Sequence, residues 1–538
     1  MRLVTTGEMA EIDREAQDRY GIPGVVLMEG AAIRCAQILE DLATGRLSFE
    51  DLSGFSDFDA FRALRVSAGS PASCLKKTAV RPVVFVAGKG HNGGDALAMA
   101  RLCEVDGRFP VSVILGQRDP GGVTGEQLRS CTAMGLPISV YEDDPGASQT
   151  QLEQASWIVD GVSGTGLRGA LREPLAALVN AINRSGTPVF SIDTPSGAGD
   201  SFRKEYPCVR AAVTATIGLP KRCLFLPAVR PLCGRVIAVP ISFPRALTEN
   251  AGFAGEILTK ADLPSLFPPI DAWTYKTRRG HLGVFAGAPG TAGAAVLAAT
   301  AAARSRTGLV TLHIEPAIYD AVASSCTSVM ALPWHPDEEH PGDLLPGAYS
   351  ACLVGPGWGR NANRSAWLKA LVGCGIPGVL DADGLNIFSS LDPAEIRGLA
   401  FQGRWVLTPH PGEFARMRGK SSAEFLDNPV QEALTAATEL NAIIVLKGHV
   451  TTIASPSGRY WLVDGMNAAM ATGGTGDVLS GIIAGLLASG VTPIEAAKGG
   501  VLLHQEVGRI AFKERGWFIS EDLLTLLSRV LAMFQKQG

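Results

Sequence analysis

The stretch VVFVAGKGHNGGDALAMARLC, residues 83–103, contains the local pattern that decides the fold class. Five apolar residues come first, then a glycine-rich turn, then apolar residues at helical spacing. A buried strand that passes through a glycine turn into a helix is the repeating unit of parallel α/β sheets. We therefore expect an α/β protein in which the turns after the strands face one edge of the sheet.

The same pattern recurs along the chain in two series. The first continues with VSVILG (111–116), WIVDG (157–161) and VFSIDTPSG (189–197). The second contains LGVFAG (282–287), ACLVGPG (351–357), GVLDADG (378–384), RWVLTPHPGE (404–413) and AIIVLKG (442–448). Between them proline becomes frequent and the strand–helix rhythm stops. We predict a parallel-sheet α/β domain at 1–245, a linker at 246–270 and a second α/β domain at 271–538, with an inserted surface excursion at about 47–80.

The composition excludes several classes of protein. The chain has 538 residues, of which 46% are hydrophobic and 19% charged, as expected of globular domains. A net charge of −4 provides no electrostatic footprint for nucleic acid. The apolar run at 481–490 is shorter than the ~20 residues that a bilayer requires, and the opening residues do not resemble a signal peptide. The ten cysteines form no CxxC pair, so we expect reduced thiols in a cytoplasmic protein that does not bind membranes.

The first series carries a group of polar residues at its strand ends. The turn GKGHNGG contains GxGxxG at Gly88, Gly90 and Gly93, which suits an anion at a helix N-terminus. A common NAD site has an acid at the end of the next strand, but here Gly116 is at that strand end and Asp119 lies beyond it, so such a site is not expected. Asn92, Asp160 and Ser196 could offer oxygen ligands to a hard cation, which leaves Asp193 as an acid or base. Alternatively, these acids only cap turns and helices.

These residues carry a resemblance to a known family. Together with GEMAEIDREAQ near the start, VVFVAGKGHNGGDALAMARL, DGVSGTGLRG and SIDTPSG resemble the NAD(P)H-hydrate epimerase family over roughly 1–245. The resemblance implies a Rossmann-like fold, a bound potassium ion and interconversion of the R and S epimers of hydrated NADH or NADPH (NADHX and NADPHX). His91 stands where the family usually has asparagine, and Ala96 where it has glycine. The implied potassium contacts are Asn92, Asp160 and Ser196. The implied substrate contacts are His91, Asn92, Gly93, Gly94, Asp95, Gly164, Thr165, Gly166, Leu167, Arg168, Gly169, Ala170 and Asp193.

In the second series, ATGGTGDVLSG (471–481) places a single acid, Asp477, behind several glycines. Glycines allow the backbone N–H groups of 474–477 to turn inward as a nest for negative charge. A phosphoryl group in transfer spreads negative charge over its oxygens, and such a nest would stabilise it. A carboxylate at the helix start can take the proton of an attacking hydroxyl. Alternatively, Asp477 is only a capping residue of the helix.

Together with the strand-end motifs of the second series and LKGHVT, this stretch resembles the ADP/ATP-dependent NAD(P)H-hydrate dehydratase family over roughly 255–538. The resemblance implies a ribokinase-like α/β fold, ADP or ATP as co-substrate, and magnesium bound with the nucleotide. Trp358 stands where the family has leucine or a similar residue. Taken alone, His410 could be a surface turn residue. The implied substrate contacts are Ala294, Gly357, His410 and Asp477, and the implied nucleotide contacts are Lys447, Gly448, His449, Val450, Thr451 and Gly476.

The two resemblances together imply a bifunctional repair enzyme. It would epimerise NAD(P)HX and dehydrate the S epimer at the expense of ADP, with Asp193 and Asp477 as catalytic residues. We also expect a homo-oligomer. The alternative is a ribokinase-like small-molecule kinase fused to a non-catalytic ligand-binding module.

Overall fold

The computed structural model describes residues 1–48, 55–57, 81–249, 252–335, 347, 349–360 and 363–534. The chain forms two compact units, Met1–Phe253 and Ala254–Gly538. Most of the excursion predicted at 47–80 lies outside the described residues. Its described segment Phe55–Asp57 is a strand paired in parallel with Arg235–Val239, so this part is an edge of the sheet rather than a surface excursion.

The first unit is built on a parallel sheet. In spatial order its strands are β2-β9-β8-β7-β6-β3-β4-β5, and every neighbouring pair is parallel. The strands of this unit are Arg2–Leu3 (β1), Phe55–Asp57 (β2), Val83–Ala87 (β3), Val111–Leu115 (β4), Ile138–Val140 (β5), Trp157–Gly161 (β6), Val189–Ile192 (β7), Val213–Ile217 (β8) and Arg235–Val239 (β9).

Helices cover both faces of this sheet. Every residue of β3 is buried. Val83 and Phe85 belong to one apolar cluster and Val84 and Val86 to the other, because successive strand residues point to opposite faces. The helices are Thr6–Asp18 (α1), Gly24–Ala43 (α2), His91–Asp106 (α3), Gly122–Ala133 (α4), Pro145–Gln154 (α5), Leu175–Arg184 (α6) and Arg245–Thr248 (α7), with 3-10 turns at Arg222–Phe225 and Arg230–Leu232.

The second unit contains a larger, mostly parallel sheet. In spatial order its strands are β10-β19-β18-β17-β16-β15-β14-β11-β12-β13, and β18 alone is antiparallel to both of its neighbours. The strands are Gly255–Leu258 (β10), His281–Phe285 (β11), Leu309–Ile314 (β12), Met330–Pro333 (β13), Ala351–Val354 (β14), Gly378–Leu380 (β15), Trp405–Leu407 (β16), Ile443–Leu446 (β17), Val450–Ala454 (β18) and Tyr460–Asp464 (β19).

The boundary between the units differs from the predicted linker at 246–270. Strand β10 pairs with β19, and Leu263 and Leu266 lie in the core of the second unit. The proline-rich sequence gives no local signal for the short strand and helix found there. Their apolar side chains are buried by residues that are distant in the sequence. The helices of this unit are Leu263–Leu266 (α8), Ala292–Ala303 (α9), Tyr319–Ser325 (α10), Arg364–Gly373 (α11), Ala382–Ser390 (α12), Pro393–Gly398 (α13), Pro411–Arg418 (α14), Ser422–Leu426 (α15), Pro429–Leu440 (α16), Thr475–Ala488 (α17), Pro493–Arg515 (α18) and Ser520–Phe534 (α19).

In each unit the strand order brings the acidic loops together. Strands β3, β6 and β7 are neighbours, so the loops that follow them share the carboxyl edge of the first sheet. Strands β14, β15, β16 and β17 are neighbours in the same way in the second. Ligands of open parallel sheets bind outside this edge. Within the described residues, no helix combines the length and the apolar character needed to cross a membrane.

Candidate active sites

Packing alone requires glycine at two positions of the turn that follows β3. A Cβ at Gly88 would overlap the carbonyl oxygen of Val162, and one at Gly93 would overlap the carbonyl oxygen of Gly88. These two glycines therefore permit close contact between strand, helix and neighbouring loop. Gly90 is different, because a Cβ there would meet no atom within 4 Å. Gly90 is the N-cap of α3 without a side-chain cap, so the start of this helix is open to a ligand.

Asp160, at the end of β6, is completely buried. Its carboxylate accepts hydrogen bonds from Ser191 Oγ at 2.8 Å, from the backbone N of Ser196 at 2.9 Å and from Ser196 Oγ at 2.5 Å. Burial raises the pKa of Asp160, although these hydrogen bonds oppose the shift. None of the described basic side chains forms an ion pair with it. The site thus holds a buried acid whose charge would be compensated by a cation.

Two of the three residues predicted to contact potassium, Asn92 and Ser196, bond to Ser163, and Ser196 bonds in turn to the third, Asp160. Asn92 Nδ2 donates to the carbonyl oxygen of Ser163 at 2.9 Å, and Ser196 Oγ donates to the same oxygen at 3.1 Å. Ser163 N in turn donates to Ser196 Oγ at 2.7 Å. The available donors are carboxylate, amide, hydroxyl and carbonyl oxygens, the set that hard cations prefer. The described residues contain no cluster of three or more histidine, cysteine or acidic side chains that could hold a metal ion.

Asp193, at the end of β7, has an unusual backbone. Its φ is 64°, in the left-handed region, and its N–H donates to the carbonyl of Ala215 at 2.8 Å. Its Oδ1 accepts hydrogen bonds from the backbone N of Ile217 at 3.0 Å and from Lys221 Nζ. Lys221 is only 1% exposed, and sequence reasoning missed it because no motif contains it. A non-glycine residue in this strained conformation is common at functional sites.

Two further acids lie close enough to influence this group. Burial raises the pKa of Asp95 well above its usual value, the charges of Asp193 and Asp13 add to that effect, and Lys221 opposes it. Burial also raises the pKa of Asp13, which is on α1, against the opposing charge of His91. Asp13 was missed as well, although it is part of the quoted N-terminal motif. The result is a group of three acids around one buried lysine.

The predicted substrate loops are placed at this edge to different degrees. His91 is exposed at the first position of α3, whereas Asn92, Gly93 and Gly94 are buried. Gly164 packs against Asn92, since a Cβ there would lie 3.2 Å from the Asn92 Cβ. The rest of the predicted loop, 165–170, has no regular structure and is partly exposed. The structure thus brings 91–95, Asp160, Gly164, Asp193 and Ser196 together.

In the second unit, Asp477 is in the first turn of α17. The N-cap of this helix is Gly474, with a φ of 90° and no side-chain cap, so Asp477 is not the capping residue considered as an alternative. Burial raises the pKa of Asp477 to about 7, the Asp381 carboxylate adds to this, and Lys447 opposes it. A carboxyl group with a pKa near neutrality is suited to exchange protons with a substrate.

The glycine nest is smaller than predicted. The N–H of Thr475 donates to the carbonyl of Thr472 at 3.3 Å and is therefore not available to an anion. Within the described residues, the N–H groups of Gly476 and Asp477 have no backbone partner, as expected at the start of a helix. These two amides point from the positive end of α17. They form the anion-binding part of the turn.

Lys447 follows β17 and connects the acids of this site. Its Nζ is 2.9 Å from Asp381 Oδ1 and 3.9 Å from Glu413 Oε2. It is also 3.5 Å from the position that a Cβ on Gly476 would occupy, which places two predicted nucleotide contacts side by side. Burial alone would lower the pKa of Lys447, but the charges of Asp381, Glu413 and Asp477 raise it. Asp381 and Glu413 were not predicted as site residues, although both are in quoted motifs.

Glu413 and His410 form a capping box at the start of α14. The backbone N of His410 donates to Glu413 Oε2 at 2.8 Å, and His410 Nδ1 accepts from Gly412 N at 3.0 Å. Burial raises the pKa of Glu413 to about 7, although Lys447 opposes the shift. Burial, Lys447 and Arg416 lower the pKa of His410, whose ring is half exposed. His410 is therefore a helix cap with one ring edge left for a ligand.

The remaining predicted contacts flank this group. Gly357 and Ala294 are adjacent, because a Cβ on Gly357 would lie 3.0 Å from the Ala294 Cβ. Trp358, a departure from the family pattern, points away into the core and stacks on Trp334 at 5.6 Å between ring centroids. Gly448 and His449 are exposed between β17 and β18. Thr451 is buried in β18 with its Oγ1 on the Gly448 carbonyl at 3.3 Å.

One more residue of this site was not predicted. His504 on α18 is buried, and its ring bonds to the backbone of Thr475, in the first turn of α17. Burial lowers the pKa of His504 to about 4, so the ring is neutral at physiological pH. Its only signal in the sequence is a histidine on an apolar helix, which is usually a core residue.

Two family descriptions match the two units. The sequence model described as NAD(P)H-hydrate dehydratase matches residues 282–531, and that described as YjeF-related protein N-terminus matches residues 24–223. A solved structure of the ADP/ATP-dependent NAD(P)H-hydrate dehydratase from Bacillus subtilis, co-crystallised with ATP/Mg²⁺, is 28% identical. Its alignment covers 52% of this chain and 98% of that one, with a TM-score of 0.47.

Full-length relatives are also found. The bifunctional NAD(P)H-hydrate repair enzyme Nnr of Moorella thermoacetica is 33% identical over 100% of this chain and 98% of its own length. The protein of the same name from Salinibacter ruber is 33% identical over 98% of this chain and 96% of its own length. Both alignments run through the two units and the boundary between them. The chain therefore belongs to the family of bifunctional NAD(P)H-hydrate repair enzymes.

Proposed function

We propose that the first unit interconverts the R and S epimers of NADHX and NADPHX, and that the second dehydrates the S epimer at the expense of ADP. The observation that carries this proposal is that each unit gathers its own group of acids and one lysine at the carboxyl edge of its own sheet. Two complete sites in one chain suit two successive reactions on one metabolite. The rival, a kinase fused to a non-catalytic module, leaves the buried acids of the first unit without a role.

In the first site, Asp193 exchanges a proton with the substrate. The substrate lies against His91–Asp95 and the 164–170 loop, with its phosphates near the open N-terminus of α3. Asn92, Asp160 and Ser196 hold a potassium ion, whose charge would compensate the buried Asp160 carboxylate. The ion supplies a fixed positive charge beside the substrate loops.

In the second site, the hydroxyl that marks the hydrated ring is first made a better leaving group. Hydroxide leaves a carbon poorly, whereas a phosphorylated oxygen leaves readily as phosphate. The lone pair of the ring nitrogen expels it, and loss of a proton from the neighbouring ring carbon then restores the ring double bond. Asp477 takes the proton of that hydroxyl as a general base. The amides of Gly476 and Asp477, together with Lys447, stabilise the negative charge of the transferred phosphoryl group.

The remaining assignments follow from these two sites. Ala294, Gly357, His410 and Asp477 contact the hydrated nicotinamide nucleotide, and Lys447–Thr451 and Gly476 contact ADP, which carries Mg²⁺. The proposed small-molecule substrates are NADHX and NADPHX, with ADP as co-substrate. A cytoplasmic location and a homo-oligomeric assembly are part of the same proposal.

The test is an assay of the purified full chain on NADHX with ADP, with ATP and without nucleotide. We expect the absorbance of the reduced nicotinamide ring to return with nucleotide, and both epimers to be consumed. If ADP or ATP is hydrolysed or transferred without any return of that absorbance, the kinase alternative is correct. If only the S epimer is consumed beyond the spontaneous rate, the first unit is not an epimerase.

A further inference from the structure

We propose that Lys221 is the positioning residue of the epimerase site, and that it selects Oδ2 of Asp193 as the oxygen that exchanges protons. This inference rests on the proposed role of Asp193 in epimerisation. It adds a second residue, outside every motif of the sequence, and a choice between two oxygens of one carboxylate.

The first argument is the use of the two carboxylate oxygens. Oδ1 of Asp193 accepts hydrogen bonds from both Ile217 N and Lys221 Nζ. Within the described residues, Oδ2 accepts none. An oxygen whose two lone pairs already accept hydrogen bonds must give up one of them when it becomes protonated, whereas the other oxygen gives up none. The proton taken from the substrate therefore goes to Oδ2, and the same oxygen returns it.

The second argument is how firmly Lys221 is held. Its ammonium group also donates to the carbonyl of Ile217, and its side chain is 1% exposed. The residues on both sides of Lys221 are hydrogen-bonded to the N-terminal segment. Val4 N donates to Pro220 O at 3.1 Å, and Arg222 N donates to Val4 O at 2.7 Å. A lysine fixed in this way has little freedom to reach a substrate. It can instead hold Asp193 in its left-handed conformation.

The third argument is charge. The charged or titratable groups that act on this pair are acids, neutral thiols and one histidine. Burial raises the pKa of both thiols, so they remain uncharged. Lys221 is the buried cation among these groups, and its loss would leave the Asp193 carboxylate without its ion-pair partner. The acids and thiols are Asp13 on α1, Cys35 on α2, Asp95 on α3 and Cys223 in the 222–225 turn; the histidine, His91, acts on Asp13, and Asp200 acts on Cys223.

The test compares Lys221→Met with Lys221→Arg in the full chain, with the exposed Lys204→Met as the matched control. Removal of an opposite charge that contacts a carboxylate typically raises the pKa of that carboxylate by about 1–3. We expect the acid limb of the epimerisation rate in Lys221→Met to move to higher pH by at least about one unit. Where the rate is proportional to the ionised fraction of the base, that shift corresponds to a roughly tenfold loss of kcat, with KM little changed. Lys221→Arg keeps the charge and should keep the position of the limb.

The control readouts separate the possible failures. Dehydration of the pure S epimer, which uses the other unit, should be unchanged in every variant. If thermal unfolding shows that Lys221→Met is not folded, Lys221→Gln, which keeps a donor and loses only the charge, replaces it. A folded neutral variant with the wild-type pH profile and kcat overturns the inference. If Asp193→Asn also retains epimerisation, the proposed role of Asp193 fails with it; if Asp193→Asn is inactive, only the inference about Lys221 fails.

Discussion

The two sites use the same ingredients in different arrangements. In the first unit the lysine contacts the proposed catalytic acid directly, as Lys221 bonds to Asp193. In the second unit Lys447 bonds to Asp381 and lies near Glu413. Its charge lowers the pKa of Asp477, but no ion pair joins these two residues within the part of the chain that the structure describes. The first lysine is almost completely buried, whereas the second keeps a side-chain exposure of 19%.

This difference shows how a lysine can serve two kinds of acid–base site. A direct ion pair fixes the carboxylate in space and leaves one oxygen free. A lysine that bonds to other acids compensates the charge of the catalytic carboxyl group only in part, and burial then raises the pKa of Asp477 to about 7. The side chain of Lys447 is thus less completely enclosed than that of Lys221, and we propose that a phosphate reaches it.

The largest effect that tests this comparison should come from Asp477→Asn. Removal of a general base typically costs ~10²–10⁴ in rate, so ADP-driven dehydration of the S epimer should be lost by that factor. Epimerisation and nucleotide binding should be retained. The measurement is the return of nicotinamide absorbance at saturating ADP, with Asp427→Asn, an exposed carboxylate of the same unit, as control. Near-normal turnover would show that Asp477 is not the base.

The next effect should come from Asp193→Asn, given a mixture of epimers and ADP. Because the two sites are in separate units, their effects should be close to independent. The S epimer should be consumed at the normal rate, and the R epimer should follow slowly, at the rate of spontaneous epimerisation. The wild type should consume both in one phase. A single fast phase in the variant would exclude Asp193, and loss of both phases would indicate misfolding.

A smaller effect is expected from Asp160→Ala on the potassium dependence of epimerisation. Asp160 is the only charged member of the predicted ion site, so its removal should weaken the response to potassium several-fold without affecting dehydration. Ser191→Ala is the matched control, because Ser191 also bonds to Asp160 but is not a predicted ion contact. The measurement is a potassium titration of the epimerisation rate. A wild-type enzyme with equal rates in potassium-free and potassium-rich buffer would contradict the ion site.

The smallest effect concerns stability. The pKa of Glu413 is raised to about 7 in the folded chain, above its ordinary value of 4.5. The folded state therefore binds the proton more tightly, and this contribution to stability is complete below pH 4.5 and lost as the pH rises through 7. Glu413→Gln should be more stable than the wild type at pH 8, by on the order of 1–3 kcal/mol, and the difference should shrink towards pH 5. Equal pH dependence of thermal unfolding in both proteins would contradict the raised pKa.

The sequence predicted the positions of strands and of the loops with candidate site residues more reliably than it predicted which residues contact each other. Val83–Ala87 and Trp157–Gly161 are strands as predicted, because a short buried apolar run before glycine is a local signal. The predicted linker failed for the opposite reason, since β10 is stabilised by pairing with β19, about 200 residues away. The sequence did not show the surroundings of Trp358, whose ring is held in the core by a buried stack with Trp334.

The sequence by itself determined which loops carry acids and glycines, because strand, turn and helix signals are local and each motif is contiguous. Only the tertiary structure decided which lysine meets which acid. Lys221 is 28 residues from Asp193, and Lys447 is 66 residues from Asp381, with no fixed spacing to reveal either pair. The order of strands in each sheet brings those residues together, and burial then sets their charges. Whether an acid is held by an ion pair or left with a raised pKa is therefore a property of the folded chain.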